Sequence, residues 1–354
     1  MKNNFKPSVV VSHTNKQHAH QLCFALQQKG YLNRFIVTIW YKPQHWLIGN
    51  LVTLIKGIIP DFIKIAKKRY FAPLNESLVE IHPLTELTRL SLGKFLKINA
   101  DRWNYRVEQN LDKYVARRLQ KLQPTVFIGY ENSSLRSFQK AKEMNKITIL
   151  DLAQVHHNFI SHLRDTYPYF KKVLPEDALF AKVNQNKSAQ YPCVDYIFTL
   201  SEFAKKTLID VGISEDKIYK LYLGFDPDNF QPKKDYNLSG KFSILFVGLI
   251  TYRKGLHLLL EAFRQLNLPQ TQLTLIGSIA DGEDLLSAYE GMFEHIPYLP
   301  HNELVTAYQE ADLMIFPSYL DSWGMVVSEA MACGTPVIVS ENTGSKDVVK
   351  DGGG

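Results

Sequence analysis

The feature that most constrains this chain is an alternation, made twice, of short Val/Ile/Leu runs with stretches of helical length. Apolar runs of four to six residues suit strands buried on both faces. Parallel strands need a crossover between them, so strand–helix alternation reads as parallel sheet covered by helices. The first series puts strands at 8–12, 35–39, 126–129, 147–150 and 196–200, with helices such as 17–29 and 102–122. The second starts afresh at 242–248 and continues through 273–277, 313–316 and 337–340, with helices at 255–266 and 323–333. Between them lies DPDNFQPKKDYNLSGK, a polar stretch with two prolines and no periodicity. The expected architecture is therefore α/β, with an N-terminal domain over 1–225, a linker over 226–241 and a second domain over 242–354.

At 354 residues, with 45% hydrophobic and 21% charged residues, the composition is that of a globular protein and excludes disordered, collagen-like and coiled-coil chains. The net charge of +6 suits anionic small molecules or an acidic membrane surface as well as it suits nucleic acid. No helix-turn-helix, zinc or aromatic-basic motif accompanies it, so a nucleic-acid partner is not expected. Cys23, Cys193 and Cys333 are odd in number and widely spaced, which argues against a disulfide framework or a metal site and for a cytoplasmic setting. One stretch, WLIGNLVTLIKGIIPDFIKIAKKRY at 46–70, is apolar first and then carries Lys64, Lys67, Lys68 and Arg69. It reads either as a surface anchor for an anionic inner membrane face, broken by Pro60, or as core or lid helices.

The segment 316–340, FPSYLDSWGMVVSEAMACGTPVIVS, holds the densest chemistry. A strand ends at Phe316, a polar loop carries Asp321, a helix starts near Gly324, and Gly334-Thr335-Pro336 closes it. Ligands of open α/β sheets bind outside the carboxyl ends of strands, so this loop lies where a ligand is expected. The first amides of the helix, at Gly324, Met325 and Val326, would favour an anion. Asp321 and Glu329 stand eight positions apart, up to about 12 Å along a helix, enough for a sugar and a ribose to be held on either side of phosphates. Taken singly, Asp321 reads as a helix cap and Glu329 as a solvated helix residue.

The spacing of the two carboxylates, with P-S, W-G, E-A and G-T-P-V-I around them, resembles the donor-site signature of the family-4 retaining glycosyltransferases of GT-B fold. Phe246-Val247-Gly248, then Arg253-Lys254-Gly255 and LHLLLEAF, resembles an upstream block of the same family, and Leu275-Ile276-Gly277 and Ala311-Asp312 fit as well. The resemblance implies two Rossmann-like domains facing across a cleft and transfer of a sugar from a UDP- or GDP-sugar donor with retention. It implies that Glu329 holds ribose hydroxyls, Asp321 contacts the donor sugar, Lys254 neutralises the departing diphosphate, and no cofactor or essential metal is needed. Where many relatives carry an arginine directly after the glycine matching Gly248, this chain has Leu249, with Arg253 as the nearest substitute. The expected acceptor is a saccharide, a lipid-linked molecule or a small molecule, in cell-surface glycan or glycolipid assembly. An alternative is a nucleotide-sugar-binding protein without catalysis. Relatives continue past the loop matching 351–354, so the resemblance also implies an incomplete C-terminal domain.

On the N-terminal side, His18 falls where relatives often carry a histidine early in a helix, and His13 and Thr14 where they often carry two glycines. His13 and His18 are accordingly expected on the acceptor side. In Asp151-Leu-Ala-Gln-Val-His156-His157-Asn158, directly after a strand, His156 matches a histidine that faces the donor sugar in the family.

Overall fold

Seven strands form the first sheet: β1 (Val9–His13), β2 (Leu32–Val37), β3 (Val79–Ile81), β4 (Val126–Tyr130), β5 (Ile147–Leu152), β6 (Tyr196–Thr199) and β7 (Ile218–Lys220). Their order is β3-β2-β1-β4-β5-β6-β7. Five more form the second: β8 (Phe242–Val247), β9 (Thr271–Ile276), β10 (Glu294–Ile296), β11 (Leu313–Phe316) and β12 (Val337–Val339), in the order β10-β9-β8-β11-β12. The pairings β1–β2, β1–β4, β4–β5, β8–β9, β8–β11 and β11–β12 are all parallel, as the alternation requires. The computed structural model describes residues 6–15, 18–40, 67, 69–92, 99–174, 177–225, 227–236 and 240–349.

Strand β8 shows why its sequence is apolar throughout. Ile244 and Phe246 pack on one side with Leu256, Leu259 and Leu260 of the helix Leu256–Leu266. Leu245 and Val247 point the other way, into a cluster with Met314, Phe316, Tyr308 and Val327. Alternate residues of a strand face opposite sides, so a strand covered on both faces needs no polar position. In the first sheet, Val9, Val11, Phe35, Val37 and Ile128 form a comparable core with Ala19 and Cys23 of the helix Ala19–Gln28.

The chain packs as two compact units that are not simply its two halves. The first comprises 1–152, 175–198 and 217–219; the second comprises 153–174, 199–216 and 220–354. In the second, Val155, Leu163, Phe170 and Ala204 surround Leu320. Residues of the polar stretch between the two strand series also pack here: Phe230 is buried, the Lys233 amide donates to the Cys333 carbonyl at 2.9 Å, and the Lys233 ammonium donates to the Ala311 carbonyl at 2.6 Å.

Most of 46–70 lies outside the described residues, as do 351–354. Within it Lys67 is exposed, but Arg69 does not face outward as a lipid contact would. Its guanidinium donates to the buried Glu86 carboxylate at 2.6 Å and to the Thr38 hydroxyl at 3.1 Å. Burial alone would raise the pKa of Glu86, but Arg89 and Arg69 together outweigh it and hold the carboxyl below its usual range. Removing Arg69 to a surface would leave a buried carboxylate short of a partner. Among the described residues no helix is long and apolar enough to cross a membrane.

Candidate active site

In the second sheet the chain runs outward from β8 to β9 and β10, then returns to the other side of β8 at β11. The loops that follow β8 and β11 therefore part in opposite directions and open a crevice at the carboxyl ends of these two strands. Lys254 comes from the first loop and Asp321 from the second, and their side chains form an ion pair. The Lys254 ammonium also lies 4.6 Å from the centre of the Phe316 ring. Lys254 is 8% exposed. Burial pulls its pKa below the usual lysine range, while Asp321 opposes that pull. A cation in such a position is poorly hydrated, so its field on a neighbouring phosphate is stronger than that of a surface lysine.

Two backbone features fix this geometry. Gly255 adopts φ +69°, and a Cβ there would run into the Pro317 carbonyl oxygen, so glycine lets the two loops touch directly behind Lys254. Gly324 adopts φ +83° and delays the helix, which runs over Met325–Ala332 rather than starting at 323. Asp321 consequently caps the turn and not the helix: its Oδ1 accepts from the Trp323 amide at 3.1 Å. Gly324, Met325 and Val326 lie at the helix start, as expected. Gly248 ends β8, its amide bonded to the Ile276 carbonyl at 2.9 Å.

Glu329 lies one turn into that helix and is half-buried. Tyr308 donates its hydroxyl to Glu329 Oε2 at 2.9 Å. Burial raises the pKa of Glu329; the Tyr308 bond and His301 pull the other way. Arg253 is tied to the Asp321 loop through one guanidinium nitrogen. Its guanidinium donates to the Leu320 carbonyl at 2.9 Å, and its own carbonyl accepts from the Tyr319 amide at 3.0 Å. Arg253 thus splints the loop that carries Asp321, and Leu249 is 42% exposed.

His156 belongs to this same unit. Its Nδ1 accepts from the Asn158 amide at 3.2 Å and caps the helix His157–Thr166, while its amide donates to the Thr207 hydroxyl at 3.0 Å. The loop it ends is tied to the Asp321 loop by the Ser322 hydroxyl, which donates to the Ala153 carbonyl at 2.7 Å.

The first sheet has its own reversal, between β1 and β4. His13 ends β1 and packs edge-on against Tyr130, which ends β4, with ring centres 4.4 Å apart. Burial depresses the His13 pKa to about 4, despite a hydrogen bond between its Nδ1 and the Asn15 carbonyl. His18 Nε2 lies 2.9 Å from both oxygens of the buried Asp151, and Tyr130 donates to Asp151 Oδ2 at 2.7 Å. His13 and His18 thus share one polar cluster. Asp151 and Tyr308 were not singled out from sequence. A carboxylate closing an apolar strand run, ITILDL, was the available signal for Asp151; Tyr308 lies 21 positions from Glu329 and gave none.

Residues 228–354 match the family described as Glycosyl transferases group 1. The chain is similar to a D-inositol 3-phosphate glycosyltransferase of Arthrobacter sp. (strain FB24), with 33% identity over 35% of this chain and 32% of that protein. It is similar to the O-antigen chain mannosyltransferase B of Escherichia coli, with 26% identity over 54% of this chain and 52% of that protein. The matched regions thus span about half or less of these relatives' length. Among solved structures, HepE of Anabaena in complex with UDP superposes with a TM-score of 0.58 at 16% identity, over 97% of this chain and 83% of that one. That likeness shows the fold, GT-B, which has two parallel-sheet domains.

Proposed function

We propose that this chain, whose residues 228–354 form a glycosyl transferases group 1 domain, is a retaining glycosyltransferase that moves a sugar from a nucleoside diphosphate to an acceptor hydroxyl. The observation that carries the reading is the ion pair of buried Lys254 with Asp321 at the reversal point of the second sheet, with Glu329 on the helix that follows. In this reading Glu329 Oε1 accepts from the ribose hydroxyls, Asp321 orients the sugar, and Lys254 faces the diphosphate. As the bond between anomeric carbon and phosphate oxygen breaks, negative charge builds on the leaving phosphate. A preorganised ammonium stabilises it and supplies the charge that a metal would otherwise bring. The acceptor hydroxyl attacks from the face the leaving group vacates and passes its proton toward the departing phosphate oxygen, so no protein nucleophile is required. His13 and His18 belong to the acceptor side of this scheme. The UDP held by HepE and the inositol phosphate and O-antigen named for the two relatives support a nucleotide-sugar donor and a polyol or glycan acceptor. Attachment to an anionic membrane face remains part of the same proposal.

A second reading, binding without turnover, is favoured by one observation: exposed Leu249 stands where a second cation is expected, and Arg253 is committed to the Leu320 carbonyl. Product detection by mass spectrometry over a panel of UDP- and GDP-sugars separates the two. Lys254→Ala and Glu329→Ala are each expected to cut transfer by about 10²–10³-fold, the scale of losing one charge-stabilising group, with circular dichroism unchanged. Near-normal turnover in both variants would remove the assignment.

A further inference from the structure

Asp151 lies in β5 with a side chain only 1% exposed, and both of its oxygens are taken. His18 Nε2 is 2.9 Å from each of them. Tyr130 and Asp151 are register partners in neighbouring strands, which brings the buried Tyr130 hydroxyl alongside to donate to Oδ2 at 2.7 Å. An ionised carboxylate has only lone pairs to offer, so the ring nitrogen that faces it carries a proton. In a neutral imidazole a proton on Nε2 leaves Nδ1 as a lone pair. His18 Nδ1 meets no partner among the described residues, while the side chain keeps 11% of its exposure. The ring is thus anchored at one nitrogen and free at the other. A polar network that serves stability alone closes on itself, as the one at buried Asp112 does: its oxygens accept from the Arg136 and Ser137 amides and from the Ser137 hydroxyl. The chain Tyr130–Asp151–His18 ends instead on an unpaired nitrogen, at the reversal of the first sheet, where a crevice opens at the carboxyl ends of the strands.

We infer that Asp151 is a positioning residue of the acceptor side: it holds His18 in the tautomer with the proton on Nε2 and so presents a bare Nδ1 to a hydroxyl of the acceptor. The ligand class follows from the chemistry, since a lone pair fixed in direction accepts from O–H and gives nothing to a phosphate or a carboxylate. Tyr130 fixes the carboxylate, and the carboxylate fixes the ring. The identity of the hydroxyl rests on the transferase reading; the tautomer does not.

The tautomer is read by nitrogen NMR of the full-length chain labelled at histidine, at about pH 8.5, above the ordinary imidazole pKa. His18→Gln identifies the His18 signals among eleven histidines. Wild-type His18 is expected to carry its proton on Nε2. In Asp151→Asn the Tyr130 hydroxyl keeps the amide oxygen, which turns the amide nitrogen toward Nε2 and inverts the tautomer, the effect of exchanging carboxylate for amide at an aspartate–histidine pair. Transfer is followed over the UDP- and GDP-sugar panel with myo-inositol and methyl α-mannoside as probe acceptors. Asp151→Asn is expected to lower kcat/KM for the acceptor about tenfold, the scale of one hydrogen bond, with the donor KM and circular dichroism unchanged. Tyr130→Phe leaves the bond between Asp151 and His18 in place, so it is expected to keep the tautomer and most of the transfer, whereas a merely structural network would suffer alike from either change. A proton on Nδ1 of wild-type His18, or a tautomer inverted by Asp151→Asn with transfer unchanged, overturns the inference. Absence of transfer by the wild-type chain bears on the transferase reading alone, because the spectra decide the tautomer without turnover. If Asp151→Asn does not fold, the wild-type and Tyr130→Phe spectra still decide it.

Discussion

At the residue scale, the two sheet reversals hold ionisable groups in opposite ways. Lys254 and Asp321 are paired, so the second unit keeps a charge in a poorly hydrated place by giving it a partner. His13 is instead kept neutral: burial, with the titratable His18, His20 and Asp151 around it, sets its pKa at about 4 against 6.5 in an unfolded chain. The sign follows from proton counting. Between pH 6.5 and 4 the unfolded chain binds a proton that the folded chain refuses, so stability falls with falling pH, by about 3 kcal/mol in all. Urea unfolding at a series of pH values is expected to show a shallower acid slope for His13→Gln, by close to one proton. An unchanged slope would show that His13 is not the group responsible. Most of the second site was legible at this scale because its residues cluster in two short segments. Arg253 was legible as a cation but not as a splint, because its partner is a backbone carbonyl 67 positions away, and carbonyls carry no sequence label.

At the scale of elements, the central strands were readable and the rim was not. β8 and β4 bury residues on both faces, β11 buries Met314 and Phe316 and partly covers Leu313 and Ile315, and all three announce themselves as apolar runs. β3, β7 and β10 are three residues each, reading VEI, IYK and EHI, and lie at or next to the outer positions of their sheets, so burial imposes no pattern on them. Helix starts were misplaced wherever a glycine in the left-handed region intervened, as at Gly324. Gly255 carries the heaviest demand of this kind. Gly255→Ala combines an unfavourable backbone region with a collision against the Pro317 carbonyl, and is expected to cost at least about 2 kcal/mol. Because the helix Leu256–Leu266 begins directly after it, the shift also moves Lys254. A melting curve together with nucleotide titration checks both effects, and a fall in melting temperature without weaker UDP or GDP binding would separate the loop contact at Gly255 from the site.

At the scale of the whole molecule, the number of sheets and their parallel sense were legible, because alternation is a property of the chain in order. The membership of the second unit was not, because 153–174 and 199–216 join it through packing around Leu320 rather than through any local pattern. An isolated 228–354 segment lacks Val155, Leu163, Phe170 and Ala204, and exposes the apolar cluster behind the Asp321 loop. It is expected to bind the dye ANS strongly and to melt below the full chain, whereas a segment of 153–354 regains part of the difference. Equal dye binding by the short segment and the full chain would show that those helices are dispensable. One further contact bears on how such a protein could be redesigned. Asp321 and Thr343 form a parallel bridge, with the Asp321 amide on the Asn342 carbonyl at 3.2 Å and the Gly344 amide on the Asp321 carbonyl at 2.8 Å. The loops after β11 and β12 are thereby stitched into one piece of main chain. If Asp321 orients a sugar as proposed, exchanging sugar preference with a related chain should therefore succeed when both loops are transplanted together as a cassette, and fail when the loop bearing Asp321 is moved alone.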